Sequence, residues 1–500
     1  MSGVSTTSPR RLPGWAAALL TFGAAAGVLV LEIAAGRLLA PFVGVSLTTY
    51  TGIIGVILAG IALGAWLGGR AADRFGPERL IGPTFAAGGI AAIASVPIVD
   101  AVGTLGLGGE FGGIVALAAA GFVLPATILS AVGPMIVRAS LTDLGTSGAL
   151  VGRLSAIGTA GAISGTFLTG FVLLGLVPTR PLIVGVGALL VGVGIVTAWG
   201  LGRGRSAALL GLIGLVAGAG LVAAAGASPC LRESAYYCVA ITPDPASPNG
   251  RTLVLDRVRH AYVDLADPSV LGFRYVRWLV DASAPLIEAR GGDVDILYVG
   301  GGGFSLPRYL ESAYPESRHT VLELDPVVLA TARSELGFAP SDRTTVIVGD
   351  ARLSVGGLPT DGYDLVIGDA FGGLSVPWHL TTREFLAQID RVMRPDGLYL
   401  MNVIDGDQLR FAQAETVTLR SLFEHVVVIA GGSPLGGHAG GNLVLVASHE
   451  PIDAADILAR IRARGDGGEL LSLPADLAAF TAGTPILTDD FAPVDQLLGR

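Results

Sequence analysis

The chain has 500 residues, of which 51% are hydrophobic and only 15% charged, with 73 glycines and a mean hydropathy of +0.65. This composition marks an integral membrane protein, and a net charge of -9 argues against a nucleic-acid partner. Two cysteines and six scattered histidines show no zinc or iron-cluster spacing, so no metal site is expected.

The apolar excess lies almost wholly before residue 227, and most acidic residues lie after residue 230. Residues 1–14 are polar, with Arg10 and Arg11 just ahead of the first apolar run, and are read as a cytoplasmic tail before a retained first span. Within 15–226, seven stretches are long and apolar enough to cross a bilayer: Trp15–Leu39, Leu47–Leu67, Leu80–Val102, Phe111–Ile136, Leu154–Leu176, Leu182–Trp199 and Ala207–Ala225. Their Gly and Ala content suits close helix packing. Arg10, Arg11, Arg70, Arg74, Arg79, Arg138, Arg153, Arg203 and Arg205 fall on one side, against Arg180 and Arg37 on the other, so the N-terminus is cytoplasmic. Seven spans then carry the rest of the chain outside the cell. A disulfide between Cys230 and Cys238 would fit that oxidising side; two unpaired thiols are the alternative. Glu32 and Arg37 near the end of the first span read as a functional charge, a mutually satisfied pair, or an arginine reaching for headgroups. The loop GRAADRFG, Gly69–Gly76, matches a loop of major-facilitator transporters, although seven spans are too few for that fold and a basic turn is the plainer reading.

Residues 227–280 read as a small β subdomain with a connecting helix: one strand over Glu233–Ile241, a turn-rich DPASPNG, a second strand over Arg251–Tyr262, and a helix from Gly272 to Ala289. Residues 281–500 read as a nucleotide-binding α/β domain. The apolar run Ile296–Val299 breaks into Gly300–Gly303 ahead of a helical segment, the strand, tight turn and helix of a nucleotide unit. The run Thr320–Leu324 carries Glu323 near its end and Asp325 just past it, about twenty residues after the glycines, where such folds set an acid against ribose hydroxyls. The runs Thr344–Val348 and Asp364–Ile367 are followed by Asp350 and Asp369. Strand ends that each carry a glycine or carboxylate predict one crevice along the carboxyl edge of a parallel sheet. A helix over Thr382–Met393, a strand over Gly397–Val403, a helix over Gln408–Phe423 and β runs at Val426–Ala430 and Asn442–Ala447 complete the sheet. Asp489, Asp490 and Asp495 in the tail read as solvated or capping.

The order ES-x-Y, LD-x-V, GGGGFSLPR, ELDP, GDAR, YD-x-x-x-x-D, PWHLTT and LTDDFAP resembles the spermidine synthases, the polyamine aminopropyltransferases, and is closer to their membrane-fused branch. The resemblance implies a multi-pass α-helical membrane domain followed by a Rossmann-like α/β domain with an S-adenosylmethionine-methyltransferase-type sheet. It implies aminopropyl transfer from decarboxylated S-adenosylmethionine, a co-substrate and not a resident cofactor, to a small amine such as putrescine. By the same resemblance Gly300, Gly301 and Gly302 approach the adenosine and sulfonium, Glu323 holds the ribose, Asp350 and Ala351 face the adenine, His260 stands near the nucleoside, and Asp369 is catalytic. Tyr275 and His379 are candidate acceptor contacts, with ring packing or helix capping as plainer roles. An amine with a pKa near 10 is protonated at neutral pH, so its attack on a sulfonium carbon calls for a carboxylate to orient and deprotonate it. No metal is needed, because the donor carries its own positive leaving group.

The chain departs from the soluble enzymes at three positions. Where they carry an acid in the glycine loop (GGGDG), a histidine after the tyrosine, and a second acid after the catalytic one, this chain has Gly303, Val276 and Gly372. An external placement also separates the domain from a cytosolic donor, a difficulty that one span fewer removes. Two further readings stand beside aminopropyl transfer: a methyltransferase using S-adenosylmethionine, and a non-catalytic transporter or sensor that binds a nucleoside or polyamine. A lipid bilayer is the expected partner, and homo-oligomerisation is left open.

Overall fold

The computed structural model describes residues 12–107, 111–143, 145, 147–201, 228–373, 375–432 and 440–499, with isolated positions between 209 and 220. The chain divides into two compact units, Met1–Cys238 and Val239–Arg500.

Among the described residues, six helices of the first unit are long and apolar enough to cross a membrane: Gly14–Val43, Leu47–Phe75, Pro77–Gly103, Phe111–Ser140, Ser147–Leu176 and Thr179–Gly200. They coincide with the first six expected spans; the seventh, Ala207–Ala225, falls mostly outside the described residues. The small residues have a definite use. A Cβ on Gly64 or Gly68 would lie 2.1 or 2.4 Å from the carbonyl oxygens of Thr127 and Ala131, and Gly89 and Gly187 meet backbone to backbone in the same way. Helices pack at this range only where side chains are absent, the small-residue seam of apolar surroundings.

Several charged groups of this unit sit near helix ends. Asp100 takes both guanidinium nitrogens of Arg180, at 2.5 and 2.6 Å. Arg180 Nε also lies 3.7 Å from Glu233 on the short strand β1 (Arg232–Glu233). Arg37 donates to the carbonyls of Ser234, at 3.1 Å, and Tyr236, and not to Glu32. Asp73 within GRAADRFG pairs with Arg138 at 3.2 Å and belongs to the last turns of its helix, not to a loop. Cys230 and Cys238 form a disulfide.

In the second unit β2 (Cys238–Pro243), β3 (Gly250–Leu255) and β4 (Val258–Asp264) form an antiparallel meander. The single strand expected over Arg251–Tyr262 is therefore a hairpin. Alternation runs on across its turn, and Asp256 takes a left-handed conformation (φ 56°) where a glycine would have betrayed the bend.

Among the described residues the main sheet has eight strands: β5 (Asp295–Val299), β6 (Arg318–Glu323), β7 (Thr344–Val348), β8 (Tyr363–Gly368), β9 (Met393–Asp405), β10 (His425–Ala430), β11 (Gly441–Ser448) and β12 (Glu469–Leu471). Their order is β12-β10-β11-β9-β8-β5-β6-β7. The pairs from β7 to β9 are parallel, and those from β9 to β12 antiparallel. This is the mixed sheet of an S-adenosylmethionine-methyltransferase-like fold. Every residue of the central strand β8 is buried, which explains its unbroken apolar run. The order reverses between β5 and β8, which places the crevice beyond the carboxyl ends of those two strands.

Candidate active site

Beyond those strand ends lies a cavity of about 450 Å³, lined among others by His260, Tyr275, Gly300–Gly303, Asp369 and Asn402. The glycines make the close approach. Gly300 has φ 101°, and a Cβ there would lie 2.5 Å from the carbonyl oxygen of Asp369, so the turn after β5 and the turn after β8 are in backbone contact. A Cβ on Gly303 would lie 2.4 Å from that of Ala261. The space an acidic side chain would need is occupied by the β4 strand, a physical reason for glycine at this position. Phe304, the next residue, holds a left-handed conformation (φ 54°), is fully buried, and stacks on Phe338 at 4.1 Å between ring centroids.

Asp369 follows β8 directly and is held from two sides. Asn402 Nδ2 donates to its Oδ1 at 2.8 Å, and the Tyr275 hydroxyl donates to its Oδ2 at 3.1 Å. Burial pushes its carboxyl up to about 6, against the opposite pull of those two hydrogen bonds. Burial and the neighbouring aspartate push the Tyr275 hydroxyl well above its usual range, so it remains a donor. Asn442 Nδ2 in turn donates to Asn402 Oδ1 at 3.1 Å, which fixes the amide's orientation. The arrangement leaves one carboxylate, poised near neutrality, in a cleft walled by glycine backbone.

Glu323 ends β6 almost fully buried. Its Oε2 accepts the amides of Gly301 and Gly302 at 2.9 and 3.0 Å, and its Oε1 that of Asp325 at 2.9 Å. Desolvation pushes its carboxyl up, opposed by the three amides. It is thus the brace of the glycine loop. His260 reaches the cavity because β4 slips register against β3 there: Arg259 pairs with Val254 and Ala261 with Leu253, leaving His260 bulged. Burial pushes its imidazole down to about 4, so it is neutral at physiological pH.

Asp350 and Ala351 lie past β7 and outside the lining residues of the cavity; Asp350 caps the short helix Ala351–Ser354. His379, expected beside the acceptor, does not line the cavity either. Its Nε2 lies 3.4 Å from Asp350 Oδ2, because the turn Trp378–Leu380 carries it to the β7 end. Of the two aspartates in YD-x-x-x-x-D, Asp364 is fully buried at the opposite end of β8 and pairs with Arg290 and Arg394, a structural role. Asp489 accepts from Thr382 Oγ1 at 2.6 Å and from Arg352 at 2.5 Å, so it clips the tail to the domain and is not merely solvated.

Asn402 and Asn442 were missed in the sequence. The available signal was an amide within each apolar run, GLYLMNVI and GNLVLVA.

No family model matches the chain. A polyamine aminopropyltransferase of Vibrio vulnificus (strain CMCP6) is 39% identical over 130 residues, which cover 26% of this chain and 43% of that protein. The likeness is to the spermidine synthase family. The mouse (Mus musculus) eEF1A lysine and N-terminal methyltransferase is 28% identical over 137 residues, covering 26% of this chain and 20% of its own. The chain thus spans less than half the length of either curated relative. Among solved structures, a probable spermidine synthase from Corynebacterium glutamicum ATCC 13032 superposes with a TM-score of 0.48 at 28% identity, covering 52% of this chain and 95% of that one.

Proposed function

We propose that this chain is a membrane-anchored transferase that moves an aminopropyl group from decarboxylated S-adenosylmethionine to an amine, with Asp369 as the base. The observation that carries this reading is the Asp369 carboxylate, raised to about 6 and aimed by Asn402 and Tyr275, in backbone contact with the glycine turn. The likeness to the Vibrio aminopropyltransferase supports it.

In this reading Gly300–Gly302 flank the adenosyl sulfonium, with Glu323 bracing the loop at the ribose and His260 near the nucleoside. Asp350 and Ala351 stand at the adenine end. The carboxylate orients the acceptor ammonium and takes its proton. The nitrogen lone pair then forms a bond to the methylene carbon next to sulfur, the C–S bond breaks, and its electron pair stays on sulfur as a neutral thioether. Positioning of the two reactants supplies most of the acceleration. The apolar helices anchor the enzyme in a bilayer, and the Cys230–Cys238 disulfide supports an oxidising, extracytoplasmic side for the domain.

The test is release of the thioether nucleoside by the purified full chain given decarboxylated S-adenosylmethionine and an amine panel, against Asp369→Asn. Equal release by the variant sinks the reading. Similarity to a methyltransferase supports a second one, methyl transfer from S-adenosylmethionine; methylated product with the carboxylated donor alone would establish it.

A further inference from the structure

We propose that the acceptor is an amine that carries a carboxylate, its nitrogen at Asp369 and its carboxylate at Arg259 and Arg274. This rests on the transferase reading above and narrows its substrate class.

The ionic lining of the cavity is unbalanced. Among the described residues that line it, Asp369 is the one acid, while Arg259 and Arg274 are two permanent cations. A diamine such as putrescine is a dication at neutral pH. With one ammonium at Asp369, its other end meets guanidinium charge and no second carboxylate, a like-charge juxtaposition that disfavours the diamine. Gly303 has no room for an acid against Ala261, and Val276 and Gly372 supply none.

Both guanidinium groups are pre-placed and uncommitted. Arg259 lies over the Phe273 ring at 5.3 Å, and Phe273 stacks on Tyr275 at 6.0 Å. Arg259, Phe273, Tyr275 and Asp369 therefore follow one another along one wall, the cation and the carboxylate two rings apart. Arg274 lies over Trp278 at 4.9 Å, and Gly431 leaves room for it, since a Cβ there would lie 2.5 Å from its Nη2. Neither arginine forms an ion pair among the described residues. Asp466, whose charge reaches Arg274, is already engaged by Arg277 at 2.5 and 2.6 Å. Planar donor forks held against rings, at the exposed mouth of a cleft, suit a carboxylate.

The experiment measures equilibrium binding of 4-aminobutanoate and putrescine, equal in chain length, to the full chain in detergent with methylthioadenosine filling the donor side. The expected result is 4-aminobutanoate at least ten-fold tighter. Arg259→Gln and Arg274→Gln should each weaken it about ten-fold, about 1.4 kcal/mol, with methylthioadenosine affinity unchanged as the check on folding. Tighter or equal binding of putrescine, or binding of neither amine, overturns the proposal. So does an arginine effect confined to S-adenosylmethionine, which would assign the carboxylate to the donor. Binding of 4-aminobutanoate without any thioether release would instead sink the aminopropyl reading and leave the anion site standing.

Discussion

Asn402 on β9 donates to Asp369 past β8 across 2.8 Å, and this amide fixes the orientation of the carboxylate. The same bond favours the charged form against a burial that disfavours it. Rate should therefore follow ionisation of Asp369: kcat/KM rises with pH and inflects near 6. In Asn402→Leu the inflection should move to higher pH, since the opposing hydrogen bond is gone. Asp369→Asn should lose on the order of 10²–10⁴ in kcat, the usual worth of a positioned base. A pH profile that moves to lower pH in Asn402→Leu would contradict this assignment.

The contact between Gly303 and Ala261 predicts that an acid cannot simply be restored. Gly303→Asp should destabilise the domain by about 1–3 kcal/mol through overpacking, read as a lower Tm of the full chain. Gly303→Asp with Ala261→Gly should recover part of the loss. Unchanged Tm in the single variant would mean that the strand yields.

Glu415, on the helix Arg410–Arg420, is fully buried, and neither carboxyl oxygen has a hydrogen-bond partner among the described residues. Burial pushes its carboxyl well above 4.5. A carboxyl whose folded pKa is raised contributes stability below the unfolded pKa, and this is lost as pH climbs through the folded value. Glu415→Leu should thus stabilise the full chain more at pH 8 than at pH 5, by about 1–3 kcal/mol at the higher pH, read from the Tm at each pH. A gain equal at both pH values would show that Glu415 ionises as readily in the folded chain as in the unfolded one, against the raised carboxyl.

Cys230 and Cys238 should resist maleimide in the purified full chain and label only after reduction. With a separation of 8 residues, Cys230→Ser should cost about 2–3 kcal/mol. In whole cells, protection lifted by a membrane-impermeant reductant places the pair outside; labelling without any reductant would place it in a reducing compartment.

The amino-acid sequence alone determined the apolar helices, the parallel strands and the acids past their ends, because these are local signals: run length, period, and a glycine or carboxylate where a strand stops. It did not reveal that Arg251–Tyr262 folds back on itself, since alternation survives a turn made without glycine. Tertiary structure decided which polar groups meet. Tyr275 and Asn402 lie 94 and 33 residues from Asp369 along the chain, and only the sheet order brings them to one carboxylate. It likewise carried His379 off to Asp350, and set Ala261 where the loop would otherwise hold an acid, because a side chain's surroundings come from strands that are distant in sequence.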